Sequence, residues 1–251
     1  PEYIAVAFDP AGPTFRHDAY PEYKAQREAT PEDIKRSVPI IKDIIRAYRI
    51  PIIEVPGYEA DDVIGTLARR SEEAGLEVCM LTPDKDYAQL VTPHITMCRP
   101  GHAGGGLERL GPKEVCEKYG IESPTQVIDL LALMGDTADN IPGCPGVGEK
   151  TAVKLIGQFG SVEGLIDGVD ELKGALKKKV EDNVEKIRFS KFLTTIKTDV
   201  PLPFDLAAMR RQEMDLEALR SIFEALEFRQ LASRIFGEAT SGSGSASREN
   251  S

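Results

Sequence analysis

Eight carboxylates fall into four short groups along this 251-residue chain: Asp9 alone, Glu59 with Asp61 and Asp62, Asp84 with Asp86, and Asp136 with Asp139. Two residues apart in an extended stretch, Asp84 and Asp86 point to the same side. Three apart at a helix end, Asp136 and Asp139 likewise share a face. Glu59 and Asp61 diverge in a regular helix, but at its first turn the backbone is not yet committed and exposed N–H groups stabilise negative charge. Gathered without cations, these acids would repel strongly, and bound metal is the easiest relief. Ligation by Asp and Glu oxygens alone suits Mg2+ or Mn2+ rather than zinc, which recruits His or Cys. Two such ions are the apparatus of phosphodiester hydrolysis, one activating water and the other neutralising the leaving oxygen. His17, His94 and His102 belong to no motif, and this chemistry does not need them.

Each group taken singly has a plainer reading. Glu59–Asp62 fits ordinary acidic charge at a helix N-terminus, 82–86 fits a turn capped by Asp, and Asp136 with Asp139 fits the cap of the next helix. The case for a cluster rests on all four groups falling at strand or helix ends of one chain.

Directly after the last pair comes a glycine-punctuated turn, PGCPGVGEKTA at 142–152. Gly146 and Gly148 permit tight turns and leave backbone N–H groups free for a phosphate at the following helix N-terminus, with Lys150 and Thr151 as further donors. Its glycine-to-lysine spacing is not that of a P-loop. A plain helix connection capped by glycine is the alternative. Upstream, 15–27 interleaves Arg16, Lys24 and Arg27 with Phe15, Tyr20 and Tyr23, the cations and stacking rings that suit a single nucleic-acid strand, or else a solvated surface segment. The Lys177–Lys179 run lies on what reads as an exposed helix and is a candidate for duplex backbone.

The elements that must position these groups follow a clear rhythm. Residues 3–9, 50–56, 76–82 and 95–98 are short, apolar and partly β-branched, as buried strands are. Helical patterns at 31–48, where Pro39 is expected to kink or restart the helix, and at 59–75 lie between them. Strand alternating with helix predicts a mainly parallel central sheet flanked by helices, with sites beyond the carboxyl ends of its strands. After 107 the strand signals cease and every segment reads as helix. The expected organisation is an α/β core over 1–106, a helical subdomain over 107–238 and a flexible Ser/Gly linker over 239–251.

With 41% hydrophobic and 29% charged residues, the composition is that of a soluble globular chain, and no apolar run is long enough to span a bilayer. Cys79, Cys98, Cys116 and Cys144 show no metal or disulfide spacing, so a reduced, cytosolic setting is expected. The opening PEYIAVAFD has no methionine or secretory signal and reads as a fragment whose N-terminus lies upstream. A net charge of −10 disfavours non-specific attraction to nucleic acid, but with the eight clustered acids set aside the balance is close to neutral.

Taken together, AVAFDPAGPTFR, YPEYKAQR, EADDVIGTLA, TPDKDYAQLV and LLALMGDTADNIPGCPGVGEKTA closely resemble the 5′→3′ exonuclease, or flap endonuclease, domain at the N-terminus of bacterial DNA polymerase I, over residues 1 to about 237. The resemblance implies a PIN-like flap-endonuclease fold followed by a helical subdomain with a helix–hairpin–helix. It implies a metal-dependent nuclease that cleaves 5′ flaps and nicked 5′ ends in primer removal and repair. Carried over by motif, Asp9, Glu59 and Asp61 resemble ligands of one Mg2+, Mn2+ being a substitute. Asp84, Asp86 and Asp139 resemble ligands of a second, with Asp62 and Asp136 in or beside the same shell. Lys24 and Arg27 resemble the basic residues that reach the scissile phosphate. Gly143, Gly146, Val147, Gly148, Lys150 and Thr151 resemble the hairpin that grips duplex DNA and holds a K+ ion, with Arg16 and Tyr23 as further DNA contacts. The implied setting is a monomer in the bacterial cytoplasm, associated with the nucleoid and joined to a C-terminal polymerase domain. In that family a further strand ending in an aspartate precedes 3–9, so a silent DNA-binding fragment is the alternative, and an RNA-directed PIN-like nuclease a more distant one. Pro83 stands where many relatives carry Gly.

Overall fold

In a computed structural model the described residues are 1–101 and 106–241. In chain order the elements are β1 (Val6–Ala7), α1 (Phe15–Ala19), α2 (Glu32–Ala47), β2 (Ile52–Ile53), α3 (Ala60–Glu73), β3 (Val78–Leu81), β4 (Ile95–Pro100) and β5 (Leu107–Leu110). There follow α4 (Pro112–Tyr119), α5 (Val127–Met134), α6 (Glu149–Phe159), α7 (Val162–Asp167), α8 (Gly174–Glu181), α9 (Val184–Thr194), α10 (Leu206–Met209), α11 (Leu216–Ala225) and α12 (Arg229–Ser241). None of these helices is long and apolar enough to cross a membrane.

The chain divides into two compact units, one comprising Pro1–Val6, Thr30–Ile53 and Asp205–Ser251, the other Ala7–Ala29 and Glu54–Phe204. This division follows packing rather than sequence order. It differs from a cut at 106, because β5 opens at Leu107 and belongs to the same sheet as β3 and β4. In the smaller unit, α2 runs through Pro39 as one element rather than restarting there. Its Ala47 packs with Leu219, Phe223 and Phe236 of α11 and α12 in a small apolar cluster. The linker expected from 239 onward begins later than composition implied, since α12 continues to Ser241; residues 242–251 lie outside the described part.

In the larger unit, β3 pairs in parallel with β4, and β4 antiparallel with β5. The pair β1–β2 forms a separate two-stranded sheet, so the continuous parallel sheet expected from sequence is divided in two. β5 went unforeseen because LERL is four residues long and half charged. The core gathers Met80, Ile95 and Met97 of the strands with Leu130, Leu131 and Leu133 of α5, Leu155 and Ile156 of α6, and Ile187 of α9. Helix α5 is buried on nearly all sides, and truncating a core leucine such as Leu133 costs about 2–5 kcal/mol.

Cys79 and Cys98 form a disulfide between β3 and β4, which corrects the expectation of unpaired thiols. Parallel register sets Leu81 opposite Cys98 and so brings Cys79 within 6.1 Å, Cα to Cα, of a residue 19 positions away. Such pairing leaves no sequence signature. Cys116 and Cys144 are free.

Candidate active site

All eight carboxylates and both basic candidates lie in the larger unit. Helix α3 starts at Ala60, whose N–H donates to Asp9 Oδ1 at 2.8 Å, so the exposed Asp9 is held at the helix entrance. Beyond β3, Thr82 N–H donates to the Cys98 carbonyl at 2.9 Å, and Asp84 caps a 3₁₀ turn over Lys85–Leu90, its Oδ1 accepting Asp86 N–H at 3.0 Å. Asp136 organises the loop after α5 by accepting the Ala138 N–H at 2.7 Å. That loop is closed by two glycines packed backbone to backbone. Gly135 (φ 71°) and Gly143 (φ 60°) are left-handed, and a Cβ on either would overlap the other strand of the loop. Gly143 N–H donates to Ser190 Oγ at 3.0 Å.

Residues 20–27 lie across this loop. Lys24 takes a left-handed backbone (φ 56°), a cost on the order of 1–3 kcal/mol for a non-glycine residue, and its N–H donates to the Asp139 carbonyl at 3.0 Å. Its Nζ reaches Glu59 Oε1 at 2.6 Å and Asp139 Oδ2 at 3.8 Å. Arg27 donates to Asp139 Oδ1 and, at 3.2 Å, to the Ala138 carbonyl. Gln26 donates to the Thr137 carbonyl, and Asn140 to that of Glu22 at 2.8 Å. Both predicted cations thus stand among the predicted ligands. Lys85 joins them at 3.3 Å from Asp136 Oδ2.

Three candidates have other work. Asp62 is fully buried and its oxygens accept four donors: Arg16 Nη1 at 2.7 Å, Arg16 Nη2 at 2.9 Å, Glu59 N–H at 3.1 Å and Lys197 N–H at 2.8 Å. With its lone pairs spent on the fold, Asp62 is an anchor and not a ligand. Arg16, 2% exposed, completes that anchor and also bonds Glu59, which corrects its expected contact with DNA. Tyr23 is 3% exposed and donates its hydroxyl to Glu59 at 3.1 Å and Asp139 at 3.3 Å, so its ring offers no stacking face.

Two of the acids, Asp61 and Asp86, are held back from ionising, chiefly by burial. Burial first, then the nearby Asp84 and Glu59, push Asp61 up to about 6, although the Tyr87 hydroxyl at 2.6 Å opposes the rise. Burial, then Asp84, push Asp86 up to about 7. Asp86 Oδ1 is buried and has no hydrogen-bond partner, alone among buried side-chain oxygens and nitrogens of the described residues. An orphaned, reluctantly ionised oxygen beside other carboxylates is the donor set of a hard divalent cation. Among the described residues no three acids stand close enough to hold one ion as they are. Lys24, Arg27, Lys85 and Arg16 occupy the counter-ion places instead.

The hairpin at 142–148 is mixed. Gly143 and Val147 are buried, Val147 to 5%, which gives them packing roles in place of the expected DNA contacts. Gly146, Gly148 and Lys150 are exposed and Thr151 half-buried at the start of α6, where the Thr151 and Ala152 N–H groups donate to the Gly148 carbonyl at 3.0 and 2.9 Å and those of Glu149 and Lys150 precede them in the first turn. Lys179 Nζ lies 3.4 Å from the Gly146 carbonyl. Sequence reasoning missed Lys85 and Tyr87. Their only signal was adjacency to Asp84 and Asp86.

Two family models match in succession: 5'-3' exonuclease, N-terminal resolvase-like domain, over residues 1–120, and 5'-3' exonuclease, C-terminal SAM fold, over 122–217. DNA polymerase I of Bacillus caldotenax is 43% identical over 236 residues, 94% of this chain and 27% of that protein. The thermostable DNA polymerase I of Thermus filiformis is 44% identical over 229 residues, 91% of this chain and again 27% of the relative. The chain therefore spans about a quarter of the length of these relatives. Among solved structures, the T5 5'-exonuclease with bound zinc superposes with a TM-score of 0.65 at 23% identity, covering 88% of this chain and 83% of that one. The catalytic core of Rad2 in complex with DNA substrate gives 0.57 at 19%, covering 87% and 71%. At such identities the likeness shows the fold alone.

Proposed function

We propose, from the premise that this chain belongs to the 5'-3' exonuclease family, that it is a structure-specific 5′ nuclease that hydrolyses DNA phosphodiesters at flaps, nicks and 5′ ends. The observation that carries the reading is the buried, unpartnered Asp86 Oδ1 on a loop with Asp84, in a unit where Lys24 and Arg27 pair with Glu59 and Asp139.

By type, the all-oxygen donors suit two divalent ions of the Mg2+ or Mn2+ kind, although they would have to draw closer together than they stand here, where basic side chains pair with them. Asp9, Glu59 and Asp61 would hold one, and Asp84, Asp86 and Asp139 the other, with Asp136 beside them. When bound, the ions supply an activated water and neutralise charge at the leaving oxygen. The chain's own residues do the rest. Lys24 and Arg27, now counter-ions to Glu59 and Asp139, are the cations placed to orient the scissile phosphate once those carboxylates are otherwise neutralised. Tyr87 holds Asp61 through its hydroxyl, and Tyr23 joins Glu59 and Asp139 through its single hydroxyl. The exposed N–H groups at Gly146, Gly148 and the start of α6, with Lys150 and Thr151, meet duplex phosphates away from the cut. A K+ ion bound at this hairpin would share the Gly146 carbonyl with, or displace, the Lys179 ammonium that stands 3.4 Å from it.

The relatives that are DNA polymerases support a setting as one part of a longer polymerase chain in the bacterial cytoplasm, in primer removal and repair. The test is cleavage of an end-labelled 5′-flap duplex with Mg2+, beside Asp84→Ala and EDTA controls. Site-specific cutting lost in both controls is the expected result. Binding without cutting, by this chain and by a longer one that includes the preceding segment, would refute the nuclease reading.

A further inference from the structure

A row of aromatic rings runs along the surface of the larger unit and ends on the candidate active site from two directions. On α9, Phe189 and Phe192 are one turn apart and nearly parallel, their planes at 17° and centroids 6.1 Å apart. Phe15 stands edge-on to Phe192 at 5.9 Å, and Tyr20 edge-on to Phe189 at 5.5 Å. Phe15 also meets Tyr58 at 5.8 Å, and Tyr58 directly precedes Glu59. Tyr20 lies one turn before Tyr23 and Lys24. Phe192 is 45% exposed, a large apolar ring left open to water. Supported edge-on by Phe15 and flanked by the nearly parallel Phe189, it is held rather than free to collapse onto the surface.

Two cations flank the rings. Lys197 Nζ sits 5.7 Å from the centre of the Phe15 ring and 3.0 Å from Asp199 Oδ1, a surface pair that an incoming phosphate can compete for. Arg188, four residues before Phe192 and so on its face of α9, is 58% exposed and only weakly engaged by Glu185 at 3.5 Å. Held rings with flanking cations, leading to carboxylates and two basic residues, match the requirements of a nucleic acid whose bases are unpaired. Duplex DNA keeps its bases stacked on each other and has no use for such a surface.

Resting on the nuclease reading, we infer that Phe192 and Phe189 form a stacking platform for bases of the single-stranded arm of the substrate, with Lys197 and Arg188 beside its phosphates. The platform distinguishes armed from fully paired substrates before the scissile phosphate reaches Lys24 and Arg27.

The chain contains no tryptophan, so Phe192→Trp introduces a sole indole reporter that preserves stacking. Emission of this variant in EDTA is titrated with oligothymidylate, with an abasic oligonucleotide of equal length and with blunt duplex. The expected result is quenching by oligothymidylate alone. Phe192→Ala is expected to weaken oligothymidylate binding about 5- to 150-fold while blunt-duplex affinity stays unchanged. Equal quenching by the abasic strand, or unchanged oligothymidylate affinity in Phe192→Ala, would overturn the platform. An emission change that tracks protein concentration without oligonucleotide would mean that a second copy covers the face, and would overturn it as well. These binding readouts need no cleavage, so a wild-type chain that cuts flaps and fails them refutes the platform alone. One that passes them and never cuts refutes only the nuclease reading.

Discussion

Replacing Asp86 by asparagine keeps the shape of the side chain and removes its charge. Burial and then the neighbouring Asp84 raise Asp86 from 3.8 to about 7 in the metal-free fold, whereas the unfolded chain ionises it near 3.9. About three pH units at 1.36 kcal/mol each set the cost of the ionised group on the order of 2–4 kcal/mol. The sign follows from proton binding. Below about pH 4 both states carry the proton and the group costs nothing. Between about 4 and 7 the unfolded chain releases its proton first, so native stability falls as pH rises, and above about 7 the penalty is constant. Asp86→Asn is therefore expected to exceed the parent by about 2–4 kcal/mol at pH 8 in EDTA, with the gain shrinking to nothing near pH 4. Urea unfolding followed by circular dichroism at four pH values measures it. The same variant is expected to lose Mg2+-dependent cleavage, and added Mg2+ is expected to stabilise the parent but not the variant. A gain of the same size at every pH, or a loss at pH 8, would refute the reasoning that Asp86 is a charge held in readiness for a cation.

Other predictions follow from the same geometry. Mg2+ must displace protons from Asp86 and Asp61, so its half-saturating concentration for cleavage is expected to rise about tenfold per pH unit below 7, and more steeply below 6; a flat profile would contradict this. Lys24→Ala is expected to lower the single-turnover rate on the order of 10²–10³-fold with duplex affinity nearly unchanged, and a loss confined to affinity would remove Lys24 from the reaction. Arg16→Ala leaves Asp62 charged and unpaired in the interior, at about 3–5 kcal/mol in urea unfolding; weaker DNA binding with full stability would restore the surface role. Gly143→Ala forces a Cβ into the closed loop after α5 and is expected to cost on the order of 2–4 kcal/mol, read by the same unfolding assay.

Local pattern made much of this protein legible. The helices of the second half, the strand at 78–81 and the glycine-turned hairpin each announce themselves through periodicity, capping residues and turn chemistry, which are properties of a few neighbouring residues. The acids were also legible as a set, because residue type and position at element ends are written in the chain. Pairings were not. β5 is too short and too charged to show a period, the Cys79–Cys98 bond depends on the register of two strands, and the division of the sheet depends on which strands meet.

The sequence by itself determined the chemical inventory: eight carboxylates, the Lys24 and Arg27 cations and a loop rich in free N–H groups. Only the tertiary structure decided how that inventory is spent. Asp62 and Arg16, similar in sequence to their neighbours, meet in the interior and cancel, because a buried charge must find a partner 46 residues away along the chain. Asp86 finds no partner and keeps its oxygen unclaimed. Whether a charge is structural or available depends on solvent and on what packs across from it, and neither is a property of the residue or of its neighbours in sequence.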